Sequence, residues 1–376
     1  MNLKWLSAVG SWTARDFCEL RSVDGRMVQS AAEDVFVQVC STQYLGLPWR
    51  KDFAQALQGV LEGAAPSDWG SLGSNFLGGT HPFRIRAERL FREVLHTEDC
   101  VFFASGWAAN YAIGEVCRSV GMNVISDGRS HNSLRQGLRG SSVVVADLVH
   151  RSIREVLDEA AFDSAVVCWP MLEGLTGEAV CPVVDDGSIR ERCYLIRDEI
   201  HSFGVLGASG VGCPGYPVPD VRVIGFSKAF GLVGAAVCGP HGFVEALRQR
   251  ASPWIFSTAV PPIIWEVVAR TLDVVMRLDD ERALIMRRAD QFRARCGALG
   301  VPVSGTNHIS SVRLRPEEVA RLEDRIRQLG YYARVSQFPS RPVGSPCMRV
   351  CFSPAHEEGD VSGFAEALAA VLGRAG

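Results

Sequence analysis

The chain has 376 residues, of which 47% are hydrophobic and 22% are charged, and its formal net charge is -3 at pH 7. This composition is ordinary for a globular protein of about two domains and gives no basis for a nucleic-acid or membrane-surface partner. No stretch approaches the roughly 18 uncharged apolar residues of a membrane span, and charges soon after the N-terminus argue against a signal peptide.

Cysteine and histidine are dispersed along the chain. Most of the twelve Cys lie in apolar runs, where Cys behaves as a small hydrophobic residue. Disulfide frameworks are typical of short secreted chains, and metal sites need clustered ligands. We therefore expect reduced thiols, a cytoplasmic enzyme and no metal.

The N-terminal part predicts a helical lead-in within residues 1–40 that ends in a strand at 35–39, and then a helix at 52–61. Residues 70–82 include four glycines in ten positions, which disfavours a regular element and allows a ligand to approach the backbone closely. We expect an ordered loop there, in preference to a flexible surface loop, and a helix at 84–95.

From about residue 100, predicted strands and helices alternate. The strands lie at 101–104, 123–126, 142–146, 165–168, 193–196 and 221–224. This alternation predicts right-handed βαβ crossovers and an α/β fold with a mostly parallel sheet.

The pattern changes after Pro261-Pro262. The periodicity predicts long amphipathic helices at 264–279 and 283–299, then a strand at 308–314, a helix at 316–329, a strand at 348–352 and a helix at 359–372. We therefore expect an N-terminal segment (1–48) that joins the small domain, a large α/β domain (49–262) and a small α+β domain (263–376).

Unusual polar residues directly follow several predicted strands. Ser105-Gly106, Asp127, Asp198 and Lys228 all hold such positions. Ligands of parallel sheets bind at the carboxyl ends of the strands, so we expect these residues to share one edge of the sheet.

Lys228 follows an apolar run and stands among small residues. Burial of an ammonium group is costly and lowers its pKa, which makes a lysine a usable nucleophile or Schiff-base former. The alternative is a lysine that reaches from the strand end to solvent.

Four other positions each have a functional and a structural interpretation. Asp198 suits the pyridinium nitrogen of a pyridoxal phosphate site, or a helix N-cap or a salt bridge. His131 suits stacking on a flat ring or acid–base work, or a structural role. Arg349 suits a substrate carboxylate, or an edge strand that faces water. Gly106 opens a helix that follows a strand, where phosphate binds readily, although every βα turn looks similar.

Five segments together resemble the α-oxoamine synthases, pyridoxal phosphate enzymes of the aspartate aminotransferase superfamily. These segments are Ser105–Asn110, Asp127–Ser133, Asp198–Gly204 (Asp-Glu-Ile-His-Ser-Phe-Gly), Gly225–Gly231 (Gly-Phe-Ser-Lys-Ala-Phe-Gly) and Phe256–Pro262. The resemblance covers roughly residues 41–360. It implies fold type I, with a seven-stranded sheet in the large domain, and a homodimer with its active sites at the subunit interface.

The resemblance also implies roles for individual residues. Lys228 would bind the cofactor as a Schiff base and shuttle the α-proton, and Asp198 would bond the ring nitrogen. His131 would stack on the ring, and His201 would bond its O3′.

The phosphate and the substrate would be held by two further groups of residues. Those implied for the phosphate are Ser105, Gly106, Trp107 and Ser227, with Thr258 from the partner subunit. Those implied for the amino acid are Arg349, Thr42, Ser74 and Asn75.

The implied reaction condenses an α-amino acid with an acyl thioester, carried by coenzyme A or an acyl-carrier protein, and typically releases CO2. Two alternatives stay open. One keeps the cofactor and performs transamination or aldol-type cleavage, and the other is a weakly active partner subunit.

The sequence departs from the family pattern at several positions. Gly225 stands where a phosphate-binding Thr is common, Thr42-Gln43 replace Asn-Asp, Asn75 replaces Arg, and Arg197 interrupts an apolar strand. These departures indicate a divergent member, and we expect Gly225→Thr to tighten cofactor binding.

Overall fold

The computed structural model describes residues 19–184, 187–213, 215–337 and 340–374. Part of the expected helical lead-in, residues 1–18, lies outside them. From Leu20 to Ser30 the prediction is wrong, because two antiparallel strands form there. Their turn is built by Asp24, whose carboxylate accepts hydrogen bonds from the amides of Arg26 and Met27. This local bonding competes with a helix.

Fifteen strands are described. They are β1 (Leu20–Ser22), β2 (Met27–Ser30), β3 (Val35–Gln38), β4 (Asp99–Phe103), β5 (Val124–Asp127), β6 (Val143–Ala146), β7 (Ala165–Pro170), β8 (Cys193–Asp198), β9 (Val221–Gly225), β10 (Ala235–Gly239), β11 (Val303–Ser304), β12 (Ile309–Arg313), β13 (Tyr331–Tyr332), β14 (Val335–Ser336) and β15 (Cys347–Cys351).

Thirteen α-helices connect and cover these strands in the described ranges. They are α1 (Lys51–Gly63), α2 (Asn75–Gly78), α3 (Pro82–Leu95), α4 (Gly106–Ser119), α5 (Asn132–Gly137), α6 (Ile153–Glu159), α7 (Gly187–Arg192), α8 (His241–Arg250), α9 (Ser252–Ile255), α10 (Pro262–Met276), α11 (Asp279–Ala298), α12 (Leu322–Gln328) and α13 (Glu358–Val371).

The large sheet has seven strands in the order β4-β10-β9-β8-β7-β5-β6. The pairs β5–β6, β5–β7, β7–β8 and β8–β9 are parallel, whereas β10 runs antiparallel to both β4 and β9. The predicted mostly parallel, seven-stranded sheet is therefore confirmed. Strand β10 is the next strand after β9 and runs in the opposite direction. The loop between them, residues 226–234, contains Lys228.

Buried aromatic rings anchor this connection. Phe226 and Phe230, on either side of Lys228, are fully buried. Both pack with Phe91, and Phe226 also packs with Phe102 in β4. Burial of each ring contributes about 2–3 kcal/mol, so the backbone that carries Lys228 is held from both sides.

The C-terminal part contains a second, four-stranded sheet in the order β11-β12-β15-β14. Helices α11 and α13 cover it through Phe292 and Phe364, which stack with ring centroids 5.8 Å apart. The predicted helix at 316–329 is interrupted, because Arg321 adopts a left-handed conformation (φ 59°) between a 3₁₀ turn and α12.

The N-terminal and C-terminal parts of the chain share one sheet. Strand β13 pairs in parallel with β3, while the joining of residues 1–48 to a small domain stays a prediction. Helix α10 packs Trp265 against Phe102 of the large sheet, with ring centroids 4.8 Å apart. The domain boundary at residue 262 therefore stays a prediction. No described helix has the length and apolar character needed to cross a membrane.

Candidate active site

Lys228 is half-buried just beyond the carboxyl end of β9. Its Nζ lies 3.5 Å from Thr42 Oγ1, at the outer limit of a hydrogen bond. Burial, followed by the positive charge of Arg349, lowers the pKa of Lys228 to about 8. These surroundings favour the nucleophilic interpretation over a lysine that reaches into solvent.

Asp198 ends β8, on the strand next to Lys228. Its Oδ2 accepts a hydrogen bond from Asn110 Nδ2 at 2.7 Å, and its Oδ1 accepts one from the Ile200 amide at 2.9 Å. Burial raises the pKa of Asp198, and the two neutral donors offset only part of this effect. A carboxylate in this position would be stabilised by a cationic partner such as a protonated ring nitrogen.

His201 is positioned by Tyr44, which the sequence did not indicate as a site residue. The Tyr44 hydroxyl lies 2.7 Å from His201 Nδ1. Burial lowers the pKa of His201 well below 6.5 and raises that of Tyr44 well above 10, so both side chains are neutral. A Tyr44 hydroxyl that donates to Nδ1 leaves the imidazole hydrogen on Nε2. The available signal was a tyrosine in an apolar run, since a buried tyrosine hydroxyl usually needs a partner.

A second histidine lies behind Tyr44. The His308 ring contacts the Tyr44 ring edge-on, with centroids 4.2 Å apart. Only 1% of His308 is exposed, and burial lowers its pKa to about 3. His308 therefore packs against Tyr44 as an uncharged ring.

His131 precedes α5 and is exposed. Its Nδ1 accepts a hydrogen bond from the Ser133 amide at 3.2 Å and lies 2.6 Å from Ser133 Oγ, which fixes the ring. His131, Asn110 and Asp198 line one small cavity. The structure thus brings His131 and Asp198 to the same space, as the implied stacking and ring-nitrogen roles require.

Arg349 does not lie on an edge strand. It belongs to β15, which pairs with β12 on one side and β14 on the other. Its Nη1 donates to the Gly174 carbonyl at 3.0 Å, and its buried Nε has no hydrogen-bond partner among the described residues. The guanidinium acts on the pKa of Lys228 through its charge, and its Nη2, which has no acceptor among the described residues, fits an incoming carboxylate.

The first turn of α4 fits a phosphate group. Ser105 caps this helix, since its Oγ accepts from the Ala108 amide at 3.1 Å. The amides of Gly106 and Trp107 have no partner within the helix, as in any first turn. Ser227 is exposed at the end of β9. These groups stay the predicted phosphate ligands.

The expectation for Gly225 needs correction. A Cβ built on Gly225 would lie 2.9 Å from Ile200 Cγ2 and 3.1 Å from Cγ1, which is closer than carbon atoms pack. A threonine therefore has no room at this position while Ile200 is present. Gly225→Thr alone is not expected to tighten cofactor binding.

The glycine-rich loop contains the short helix α2, which the sequence did not predict. Ser74 caps α2 and forms a β-bridge with Thr258. Asn75 donates to the Trp254 carbonyl at 3.3 Å and accepts from Arg84 at 2.5 Å. Ser74, Asn75 and Thr258 thus form a second group, linked to each other through the loop. Their ligand roles stay predictions.

Arg197, the charge that interrupts an apolar strand, has a structural partner. Arg197 and Arg222 converge on buried Glu199, with nitrogen–oxygen distances of 2.8 and 2.6 Å. Burial raises the pKa of Glu199, but the two guanidinium groups outweigh it and hold the pKa below its usual value. This triad fixes the backbone between Asp198 and His201.

Comparison with known proteins gives one consistent result. The sequence profile described as aminotransferase class I and II matches residues 186–368. The chain is 27% identical to 8-amino-7-oxononanoate synthase of Sodalis glossinidius (strain morsitans) over 364 residues, covering 95% of this chain and 93% of that protein. It is 28% identical to the protein of the same name from Yersinia enterocolitica serotype O:8 / biotype 1B over 357 residues, covering 92% and 91%.

Solved structures share the fold. Serine palmitoyltransferase of Sphingomonas wittichii superposes with a TM-score of 0.83 at 21% identity, covering 98% of this chain and 95% of that one. The 8-amino-7-oxononanoate synthase of Francisella tularensis superposes with a TM-score of 0.72 at 22% identity, covering 89% and 97%.

Proposed function

We propose that this chain is a pyridoxal phosphate enzyme of the α-oxoamine synthase family, in line with its likeness to 8-amino-7-oxononanoate synthases, and that it joins an α-amino acid to an acyl thioester. The products are an α-amino ketone, a free thiol and, typically, CO2. The observation that carries this proposal is Lys228, which is half-buried near a strand end and whose pKa is lowered to about 8 by burial and by the charge of Arg349.

The described residues fit pyridoxal 5′-phosphate. Asp198 offers a buried carboxylate to the ring nitrogen, His131 offers a fixed, exposed ring to stack on the cofactor, and the first turn of α4 offers amides to the phosphate. When bound, this cofactor supplies an electron sink for the α-carbon of the amino acid. Asp198 would strengthen that sink because it keeps the ring nitrogen protonated.

Lys228 would move the α-proton. A group with a pKa of about 8 is close to the optimum for proton transfer near neutral pH. Thr42 lies on one side of the amine, and Phe226 and Phe230 hold the backbone. The amine therefore needs little reorganisation to act on a substrate at the end of β9.

Arg349 would bind the substrate carboxylate. Its Nη1 donates to the Gly174 carbonyl, which holds the guanidinium plane in place, and its Nη2 has no acceptor among the described residues and is left for a ligand. A charge-assisted hydrogen bond of this kind contributes about 1.5–3 kcal/mol. Arg349 would thus orient the α-carbon toward Lys228.

The working unit in this proposal is a homodimer. Ser74 and Thr258 form a β-bridge, and several large apolar residues lie within three positions of one or the other in the sequence. Their side chains are exposed, with exposed fractions of 88% for Leu72, 70% for Phe76, 78% for Leu77 and 82% for Phe256. Side chains of this size and exposure are typical of a protein–protein interface. In such a dimer Thr258 would serve the partner's phosphate site, as the resemblance to the α-oxoamine synthases implies. The cysteines described are free, which supports a cytoplasmic location.

A substrate screen tests this function. The purified protein with cofactor is incubated with single amino acids and acyl-coenzyme A or acyl-carrier protein, and thiol and ketone products are followed by mass spectrometry, with Lys228→Ala as the control. Formation of pyridoxamine phosphate from an amino acid alone would indicate an aminotransferase, and aldehyde release would indicate aldol-type cleavage. No thiol release across a broad panel would contradict the proposal, and an absent Schiff-base absorbance would favour a partner subunit without catalysis of its own.

A further inference from the structure

Two glycines at the phosphate end of the site are not explained by their backbone. Gly106 opens α4 and Gly225 ends β9, and neither has the positive φ that would require glycine. A larger residue could adopt both conformations. The reason for these glycines must therefore lie in their neighbours.

Both glycines face the same side chain. A Cβ on Gly106 would lie 2.5 Å from Ile200 Cδ1, and a Cβ on Gly225 would lie 2.9 Å from Ile200 Cγ2. The Ile200 amide donates to Asp198 Oδ1 at 2.9 Å, so its backbone cannot move away without disturbing that carboxylate. Ile200 is also β-branched, which restricts its χ1 rotamers.

From this packing we propose that Ile200 is a positioning residue of the phosphate site. Its branched side chain fills the corner between the first turn of α4 and the end of β9. It excludes any hydroxyl-bearing side chain at 225 and leaves the phosphate to backbone amides and Ser227. The inference rests on the proposed function, since it concerns the cofactor's phosphate.

The branches of Ile200 offer a matched control. Ile200→Val removes Cδ1, which faces Gly106, but keeps the Cβ and γ-carbons that face Gly225. Ile200→Ala removes all of the atoms nearest Gly225 except Cβ. Only the alanine variant should therefore make room for a threonine at 225.

The experiment compares full-length Gly225→Thr, Ile200→Ala, Ile200→Val and the two double variants. One measurement is the melting temperature without cofactor. The other is the ratio of affinities for pyridoxal 5′-phosphate and pyridoxal, read from Schiff-base absorbance. A merely structural change would weaken both aldehydes equally, whereas a change at the phosphate site alters the ratio.

We expect Gly225→Thr alone to lower the melting temperature by a few degrees and to weaken pyridoxal 5′-phosphate binding about tenfold, because overpacking strains the corner. Ile200→Val should not rescue it. Ile200→Ala with Gly225→Thr should restore stability and raise the affinity ratio about tenfold above that of the parent, since a new hydroxyl meets the phosphate.

The inference is overturned if Gly225→Thr is as stable as the parent, if Ile200→Val rescues as well as Ile200→Ala, or if the double alanine variant leaves the affinity ratio unchanged. The parent protein separates this failure from that of the proposed function. If it binds neither aldehyde, the proposed function fails, while the melting temperatures still decide whether Ile200 and Gly225 are matched in size.

Discussion

The Tyr44 hydroxyl lies 2.7 Å from Nδ1 of His201, although the two residues are 157 positions apart in sequence. Tyr44 packs on His308, which directly precedes β12, whereas His201 follows the strand that ends in Asp198. Because β12 pairs with the strand that contains Arg349, the contact joins the C-terminal sheet to the strand ends of the large sheet.

Tyr44→Phe removes the hydroxyl of Tyr44 and leaves Nδ1 of the His201 imidazole without this partner. We expect a stability loss of about 1 kcal/mol and a shifted pH midpoint of the Schiff-base absorbance, because the hydrogen of His201 is no longer held on Nε2. Visible absorbance titrations measure the shift. Tyr194→Phe, at a position that packs on Phe243, is the control and should leave the midpoint unchanged.

Gly174→Ala tests how closely His201 is confined. A Cβ at Gly174 would lie 2.5 Å from His201 Nε2, so the imidazole must turn or shift. We expect the turnover number to fall at least about tenfold, a typical consequence of a misplaced site group, and steady-state kinetics measure it. Gly242→Ala, where a Cβ meets nothing within 4 Å, should retain full turnover, and equal losses in both variants would contradict the confinement.

Lys228 links stability to pH. Burial lowers its pKa from 10.5 to about 8, so between pH 8 and 10.5 the unfolded chain binds a proton that the folded chain has lost. Stability from this group therefore rises with pH across that window. Lys228→Met should stabilise the cofactor-free protein at pH 7 by up to about 3 kcal/mol, and the advantage should shrink toward pH 10.5.

Denaturant unfolding at pH 7, 8.5 and 10 measures this difference. Lys51→Met is the matched control, because Lys51 is exposed at the start of α1. The prediction fails if the stability curves of Lys228→Met and the parent run parallel over the whole pH range.

The sequence predicted the parts of the site that depend on one segment at a time. Lys228 and Asp198 could be placed because each follows a short apolar strand, and parallel strands bring their carboxyl ends to one edge. The prediction for Gly225 was wrong because the space beside this residue depends on the volume of Ile200, which follows another strand. Tyr44 was missed for the same reason, since its partner is distant in sequence. Side-chain packing between remote segments leaves no periodic signal.

Arg349 has two effects that substitution can separate. Its fork would bind the substrate carboxylate, and its positive charge lowers the pKa of Lys228. Arg349→Lys keeps the charge but loses the fork, so we expect a KM for the amino acid at least about tenfold higher and an unchanged pH midpoint for cofactor binding.

Arg349→Gln loses both the charge and the fork. Because a positive neighbour is removed, the pKa of Lys228 should rise above 8. Cofactor binding by this variant should then require a higher pH, since the Schiff base forms from the neutral amine. Steady-state kinetics and absorbance titrations on both variants measure the two effects, and a midpoint that is the same in Arg349→Gln as in the parent would contradict the electrostatic coupling.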